Sequence, residues 1–495
     1  MTSLRYDNRI RDVAARQYRR EFLLSTGLGF GSLALSALLH RESYGSERGP
    51  SLTHIAPRAK SVIWLFMLGG ASHVESFDPK PALNRYGGKP ITETPFSDVL
   101  KSPFLRNERD FFDNANRQRR TTILPMQVRF SKRGESGLEI SDWWPNLADC
   151  ADDLSVVRSM WTEDVDHGGQ LQFHTGRHRS DGFFPTIGSW VSYGLGTLNG
   201  NLPEFIVLGQ PPADCCGGRE AHRANYLGPQ YDGVPFSLKA GSSTPYIVPE
   251  KGVFVEEQQG QFNLLRRLNG IASNQFPDDS SIRARIRAYE LAFRMQTAVP
   301  DIVDLNGETQ ATQDLYGLNQ PVTSAYGRQL LTARRFVERG VRFVQVYHGG
   351  DGGAGRWDAH NNLRKTQARV CREVDRPIAA LVKDLKQRGL LDETLIVWAT
   401  EFGRTPGSQG SNGRDHNPFG YTVWLAGGGF KPGVRHGATD EFGYFAVEDK
   451  VHLHDLHATI LHQMGLDHEK LTYRFSGRDY RITDVHGHVV REILG

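Results

Sequence analysis

Cysteine is scarce in this chain, with four in 495 residues. That excludes a disulfide-built scaffold of the kind small secreted domains use in place of a large core. Cys215 and Cys216 are adjacent while Cys150 and Cys371 stand alone, so the spacing matches no zinc site and all four read as structural. A dominant sign of charge is missing too. The 59 Lys and Arg against 56 Asp and Glu leave a net charge of +3, which argues against a broad basic surface and against nucleic acid as a partner. There is no long unbroken apolar run near the start. The weakly apolar stretch 22–39 is diluted by Ser25, Thr26, Gly27, Gly29, Gly31 and Ser32, whereas a membrane helix needs about twenty mostly apolar residues. Internal repeats and low-complexity tracts are absent as well.

What is present begins with Arg19-Arg20, followed by Glu21-Phe22-Leu23 and the weakly apolar stretch. This reads as a twin-arginine export signal over residues 1–40, with a periplasmic or secreted destination. That route carries folded proteins, often around a cofactor already inserted. No small-x-small cleavage site stands out, so an uncleaved signal is the one membrane contact to expect. Gly27-Leu28-Gly29-Phe30-Gly31 imitates a nucleotide loop, but no strand precedes it. Residues 41–60 are polar and carry Pro50 and Pro57, the composition of a linker. The remaining 61–495 is long enough for one large domain.

Within that domain, residues 61–68 (SVIWLFML) form a near-continuous apolar run before Gly69-Gly70, the pattern of a central strand buried on both faces. Residues 154–160 are a second such strand. The stretch 200–280 is rich in Gly, Pro and Gln and predicts an irregular insertion. Order returns at 328–339, where Leu330, Leu331, Ala333 and Phe336 fall at helical spacing before Gly340. A strand at 341–347 follows. Helix, glycine and strand then repeat through Ile378, Leu381, Val382 and Leu385, Gly389, the strand 394–400, another strand at 421–426 and a closing helix at 454–464. Such alternation predicts an α/β fold with a mostly parallel sheet covered on both faces. Sites in such folds lie beyond the carboxyl ends of the strands.

Those ends carry the metal-type residues, drawn from 18 histidines in all. Five segments stand out: Gly69-Gly70-Ala71-Ser72-His73, Asp166-His167-Gly168-Gly169, Trp357-Asp358-Ala359-His360, Glu401-Phe402-Gly403-Arg404, and Asp415-His416. Imidazoles mixed with carboxylates favour zinc, manganese or iron, whereas carboxylates with amides would favour calcium. Each segment also has a structural reading. Asp358 and His360 can cap a helix starting near Asn361, Glu401 can pair with Arg404, and His73 and His167 can serve loop geometry. His436, His452, His454, His457 and His462 read as surface or helix-packing residues.

The order of these segments, with Gly188-Ser189-Trp190-Val191-Ser192-Tyr193-Gly194 and Gly437-Ala438-Thr439-Asp440-Glu441, resembles the exported bacterial family called domain of unknown function 1501. That family is similar to the sulfatases within the alkaline-phosphatase-like superfamily. The resemblance implies an alkaline-phosphatase/sulfatase-like three-layer sandwich from about residue 60 to the C-terminus. It also implies metal ligands at Asp358, His360 and His416, with Glu401 where the superfamily has the Asp of an Asp-His pair. Phe402 replaces that pair's histidine, which puts a second metal in doubt. Counting back nine positions from Thr175 places Asp166 at the sulfatase nucleophile position, so no Ser, Thr or Cys nucleophile is present there.

The expectation is therefore an exported, metal-dependent hydrolase of sulfate or phosphate esters on a small molecule or carbohydrate. Its expected metal ligands are Asp358, His360, Glu401, His416 and His73, holding a divalent ion that is zinc or manganese rather than calcium. Asp166, His167 and Arg404 are the expected catalytic residues, with water activated by metal and His or Asp. The alternative is a non-catalytic relative acting as a binding or scaffold protein.

Overall fold

The computed structural model describes residues 53–106, 121–238, 255–275 and 280–495. The export signal read at 1–40 lies outside them. Residues 61–67 build strand β1 (Ser61–Met67) at the centre of a nine-stranded sheet. The other sheet strands are β2 (Leu154–Trp161), β3 (Phe205–Leu208), β4 (Val234–Phe236), β5 (Phe343–His348), β6 (Thr394–Ala399), β9 (Tyr421–Ala426), β10 (Val434–His436) and β11 (Val451–His452). Strands β7 (Gly403–Gln409) and β8 (Gly413–Asn417) form a separate hairpin. The sheet order is β10-β2-β9-β6-β1-β5-β3-β4, with β11 also on β2.

Strand β1 runs parallel to β5 and β6, and β5, β3 and β4 continue in parallel. Among the described strands of the sheet only β9 is reversed, antiparallel to both β6 and β2. The sheet is thus mixed and mostly parallel, as the helix–strand alternation predicted.

Alternate residues of β1 enter different cores. Ile63, Leu65 and Met67 pack in one apolar cluster with residues of helices α4 (Ser280–Val303), α5 (Ser324–Glu338) and α6 (Leu363–Gln387). Val62, Trp64 and Phe66 pack in another with residues of α1 (Gly169–Thr175), α2 (Ile187–Leu195) and α7 (Leu453–Gln463). Every β1 side chain is buried, and each large apolar one contributes about 1.5–3 kcal/mol on leaving water. A strand loaded on both faces needs helices on both faces, which is why the run 61–68 is apolar without alternation. Helix α3 (Val255–Gln275) packs against α4. Among the described residues, no helix is long and apolar enough to cross a membrane.

Two sequence expectations need correction. The stretch 200–280 is not wholly an insertion, because β3 and β4 extend the main sheet from within it. Strands of four and three residues are too short to leave a periodic signature. The described end of the supposed linker is also tied down. Arg58 and Ala59 donate backbone hydrogen bonds to the carbonyl of Gln463, and His54 and Ile55 to that of Gly465. Backbone pairing of this kind requires no apolar pattern, so polarity concealed it.

Candidate metal centre

The loops at one edge of the sheet carry the chemistry. Gly69-Gly70 follows β1, His167 lies between β2 and α1, Asp358 and His360 lie between β5 and α6, and Glu401 follows β6. His416 comes from hairpin strand β8, immediately before the reversed strand β9. Reversal brings the start of β9 to the same edge as the ends of its parallel neighbours.

His167, Asp358, His360 and His416 converge there, each offering one donor atom within 4.8 Å of all the others. Asp358 is at the middle. Its Oδ1 lies 3.1 Å from His360 Nε2 and 3.5 Å from His416 Nε2, and its Oδ2 lies 3.5 Å from His167 Nε2. The opposite nitrogen of each ring is anchored from behind. His167 Nδ1 meets Glu401 Oε1 at 2.9 Å, His416 Nδ1 meets the Val165 carbonyl at 2.9 Å, and His360 Nδ1 meets Gln409 Oε1. With Nδ1–H donating outward, each Nε2 turns its lone pair inward, the arrangement by which metal-binding imidazoles are oriented. His167 Nε2 and His416 Nε2 are buried and make no hydrogen bond. Buried nitrogens left without a hydrogen bond are costly, and a cation between them would satisfy both.

His416 fits this picture as it stands, whereas His167 presents a lone pair only once it has lost a proton. Burial by itself would raise the Asp358 carboxyl, but His167, His360, His416 and the Arg404 charge override it and hold it far below the ordinary range. Burial pushes His416 down to about 3. Burial opposes charge on His167 as well, yet its contacts with Asp358 and Glu401 raise it to about 9. A cation held at the centre would take the place of the proton that these contacts favour on His167.

The other expected ligands stand elsewhere. Glu401, fully buried, is behind His167 rather than beside Asp358. Its Oε1 accepts from Gly69 N and Gln170 Nε2, at 2.9 Å each. His73 is not brought to the cluster. Its Nε2 meets the Gly443 carbonyl at 2.7 Å, and burial lowers it to about 4. Of the expected catalytic residues, His167 joins the converging set and Asp166 is exposed beside it, accepting from His167 N at 2.7 Å. Arg404 is fully buried and holds Asp358, its Nη2 lying 2.7 Å from Oδ1 while its Nε donates to the Gly70 carbonyl at 2.9 Å. Gln409 and the Val165 carbonyl, which anchor two of the rings, carry no sequence signal. Gln409 is an unremarkable hairpin residue, and a carbonyl belongs to every residue.

Among the described residues the cluster around Asp358 is the one of its kind, and Phe402 packs against two of its rings. Its ring stacks on His416 at 4.1 Å between centroids and lies 5.2 Å from His167. The space it needs exists because residue 70 is glycine: a Cβ there would meet Phe402 Cε2 at 2.5 Å. Gly69, with φ +115°, would put a Cβ 2.5 Å from the Asp358 backbone nitrogen. Glycines here let Asp358 and Phe402 close onto the end of β1.

Comparison with known families agrees with the motif order. The model described as "Protein of unknown function (DUF1501)" matches residues 59–494. The chain belongs to this family. Comparison with curated proteins finds no match. The solved structures similar to this DUF1501 chain include the PsFucS1 sulfatase from Pseudoalteromonas sp., at 13% identity and a TM-score of 0.35, covering 88% of this chain and 71% of that one. The phosphonate monoester hydrolase SpPMH from Silicibacter pomeroyi shares 12% identity at a TM-score of 0.34, over 88% of this chain and 76% of that one. The alkaline phosphatase of the Antarctic bacterium TAB5 shares 9% at a TM-score of 0.30, over 75% and 92%. Likeness this distant leaves the chemistry of this DUF1501 chain to its own residues.

Proposed function

We propose that this chain is an exported, metal-dependent hydrolase of sulfate or phosphate esters. The observation that carries the reading is the set of three imidazoles, each anchored through Nδ1 and each presenting Nε2 toward Asp358. Three nitrogens and one carboxylate suit zinc or manganese and not calcium, whose shell is built of oxygen. Four protein donors leave room for a substrate atom only in a five- or six-coordinate shell, which favours manganese or expanded zinc. A divalent cation held there supplies Lewis acidity toward an ester oxygen and toward water.

The surrounding residues have separable tasks in this reading. Glu401 fixes the ring of His167, and Arg404 holds Asp358, so both are positioning residues. His167 serves as a ligand, which leaves exposed Asp166 as the group that accepts the proton of attacking water. Phe402 keeps water from the rear of His416. The residue types at the former nucleophile position and at 402 also support a second reading, a binding protein that retains one metal without turnover.

One pair of measurements separates the two. Protein exported by its own signal is assayed for bound metal by elemental analysis and for hydrolysis of aryl sulfate and aryl phosphate esters, beside Asp358→Ala. Stoichiometric metal and turnover, both lost in the variant, support the hydrolase. Metal without turnover on any ester supports the binding protein, and no metal in the wild type sinks both.

A further inference from the structure

A cavity of about 460 Å³ lies beside the loop that carries His360, lined by Gln127, Asn362, Arg364, Lys365, Arg372 and Asn412. Two of the segments that build the centre also border this cavity. Asn362 is two residues beyond His360, within about 7 Å along the chain. Asn412 precedes Gly413, where a Cβ would fall 1.9 Å from the His360 carbonyl oxygen. The loops are pinned together by Asn362 N donating to Asn412 Oδ1 at 2.9 Å, Asn412 Nδ2 to Asn362 Oδ1 at 3.1 Å, and Leu363 N to the Asn412 carbonyl at 3.0 Å. One face of this pinned unit thus carries His360, and its continuation walls the cavity.

The wall is cationic and rich in amides. Arg364 and Arg372 lie two helical turns apart on α6 with small Ala368 between them, which leaves a hollow flanked by guanidinium groups. Lys365 stands beside them. All three are exposed, and among the described residues no carboxylate forms an ion pair with any of them. Near the far end of α6, by contrast, Lys383 pairs with Asp149 and Lys386 with Asp153; between them and the cavity, Arg376 donates to the backbone carbonyls of Asp314 and Leu315. Three unmatched cations around a hollow create a local positive potential that attracts an oxyanion. The amides of Gln127, Asn362 and Asn412 supply donors and acceptors for hydroxyl groups.

We propose that this cavity binds a second anionic group, a sulfate or carboxylate, on an oligosaccharide whose ester lies at the metal centre. The inference rests on the ester-hydrolase reading and deepens it by naming a multiply charged, hydroxylated substrate.

The test is calorimetric binding of a disulfated disaccharide and of its monosulfated counterpart to the full, metal-loaded chain. Wild type is compared with Arg364→Ala/Lys365→Ala and with the triple variant that adds Arg372→Ala. These side chains are exposed, so melting temperature and metal content report that the variants fold. The wild type is expected to prefer the disulfated ligand by about tenfold. The double variant loses part of that preference and the triple variant loses it, with a flatter salt dependence. Equal affinity of wild type and triple variant for the disulfated ligand overturns the proposal. Should the wild type hydrolyse simple aryl esters yet bind both sugars alike, the hydrolase reading survives and the cavity proposal falls. Should it hydrolyse none while the triple variant still loses the preference, the hydrolase reading falls and the cavity stands as an anionic-sugar site.

Discussion

Histidines gather in two places in this fold, and they do opposite things. At the sheet edge, His167, His360 and His416 surround the carboxylate of Asp358. His174 on α1, and His454 and His457 packed against that helix, surround no carboxylate among the described residues. His174 Nδ1 meets the Gln170 carbonyl at 2.6 Å, His457 Nε2 that of Phe173 at 3.0 Å, and His454 Nε2 that of Gly176 at 2.7 Å. The first and second of these rings pack on Phe66 and Trp64. In this group burial depresses His174 and His454 to about 4 and His457 to about 3, so they are neutral wedges that satisfy backbone carbonyls. The contrast teaches that imidazole density is not a site. Rings of both groups have an acceptor on one nitrogen; the carboxylate at the focus makes the difference.

The sharpest way to break this comparison is to remove the focus. Asp358→Ala should lower metal affinity more than about hundredfold, beyond what loss of an outer partner does, and remove ester turnover. Equilibrium dialysis against graded zinc or manganese measures it, and full metal retention would show that Asp358 is no ligand. Next in size is Glu401→Gln, which keeps an acceptor behind His167 but removes its charge. Metal affinity should fall about 10–100-fold with the fold intact. No change would make Glu401 a purely structural carboxylate.

On the other side of the comparison, His174→Ala should leave metal content untouched while costing about 2–4 kcal/mol of stability, because it opens a cavity beside Phe66. Urea unfolding with parallel metal analysis reads both quantities, and loss of metal from this variant would erase the distinction. The smallest effect is a pH dependence. His73, His174 and His457 are neutral in the fold, with values depressed to about 4, 4 and 3. Once unfolded, each takes up a proton below its usual value near 6.5. The unfolded chain then binds more protons, so stability falls as pH drops from about 6.5 toward 4. Urea midpoints of chelated protein should decline across that window, whereas a flat profile to pH 5 would contradict the neutral state of these rings.

Much of the fold was legible in the chain. The run 61–68 announced a strand buried on both faces, and the alternation from Leu330 to Ala426 announced a mostly parallel sheet with covering helices, although not that the strand ending at Ala426 is the reversed one. The short strands β3 and β4 were not legible, because three or four residues leave no period to read. Within the site, Asp358, His360, His416 and His167 were each singled out by residue type beside a strand end. Glu401 and His73 have the same residue types at equivalent strand ends, yet the structure places one behind His167 and the other against the Gly443 carbonyl. Spacing along the chain reports which loop a side chain belongs to. It does not report which way that side chain turns.

What the sequence determined by itself was the layering, the family and the edge of the sheet at which chemistry would gather. The family follows from the order of the motifs, and the layering and the edge from apolar periodicity and from the glycines that end several strands, which are local properties. Tertiary structure decided which imidazoles share a carboxylate, which ones merely satisfy a helix, and that Phe402 closes against Gly70. Those outcomes depend on contacts between residues hundreds of positions apart, where a ring's second nitrogen finds its acceptor only after the loops have met.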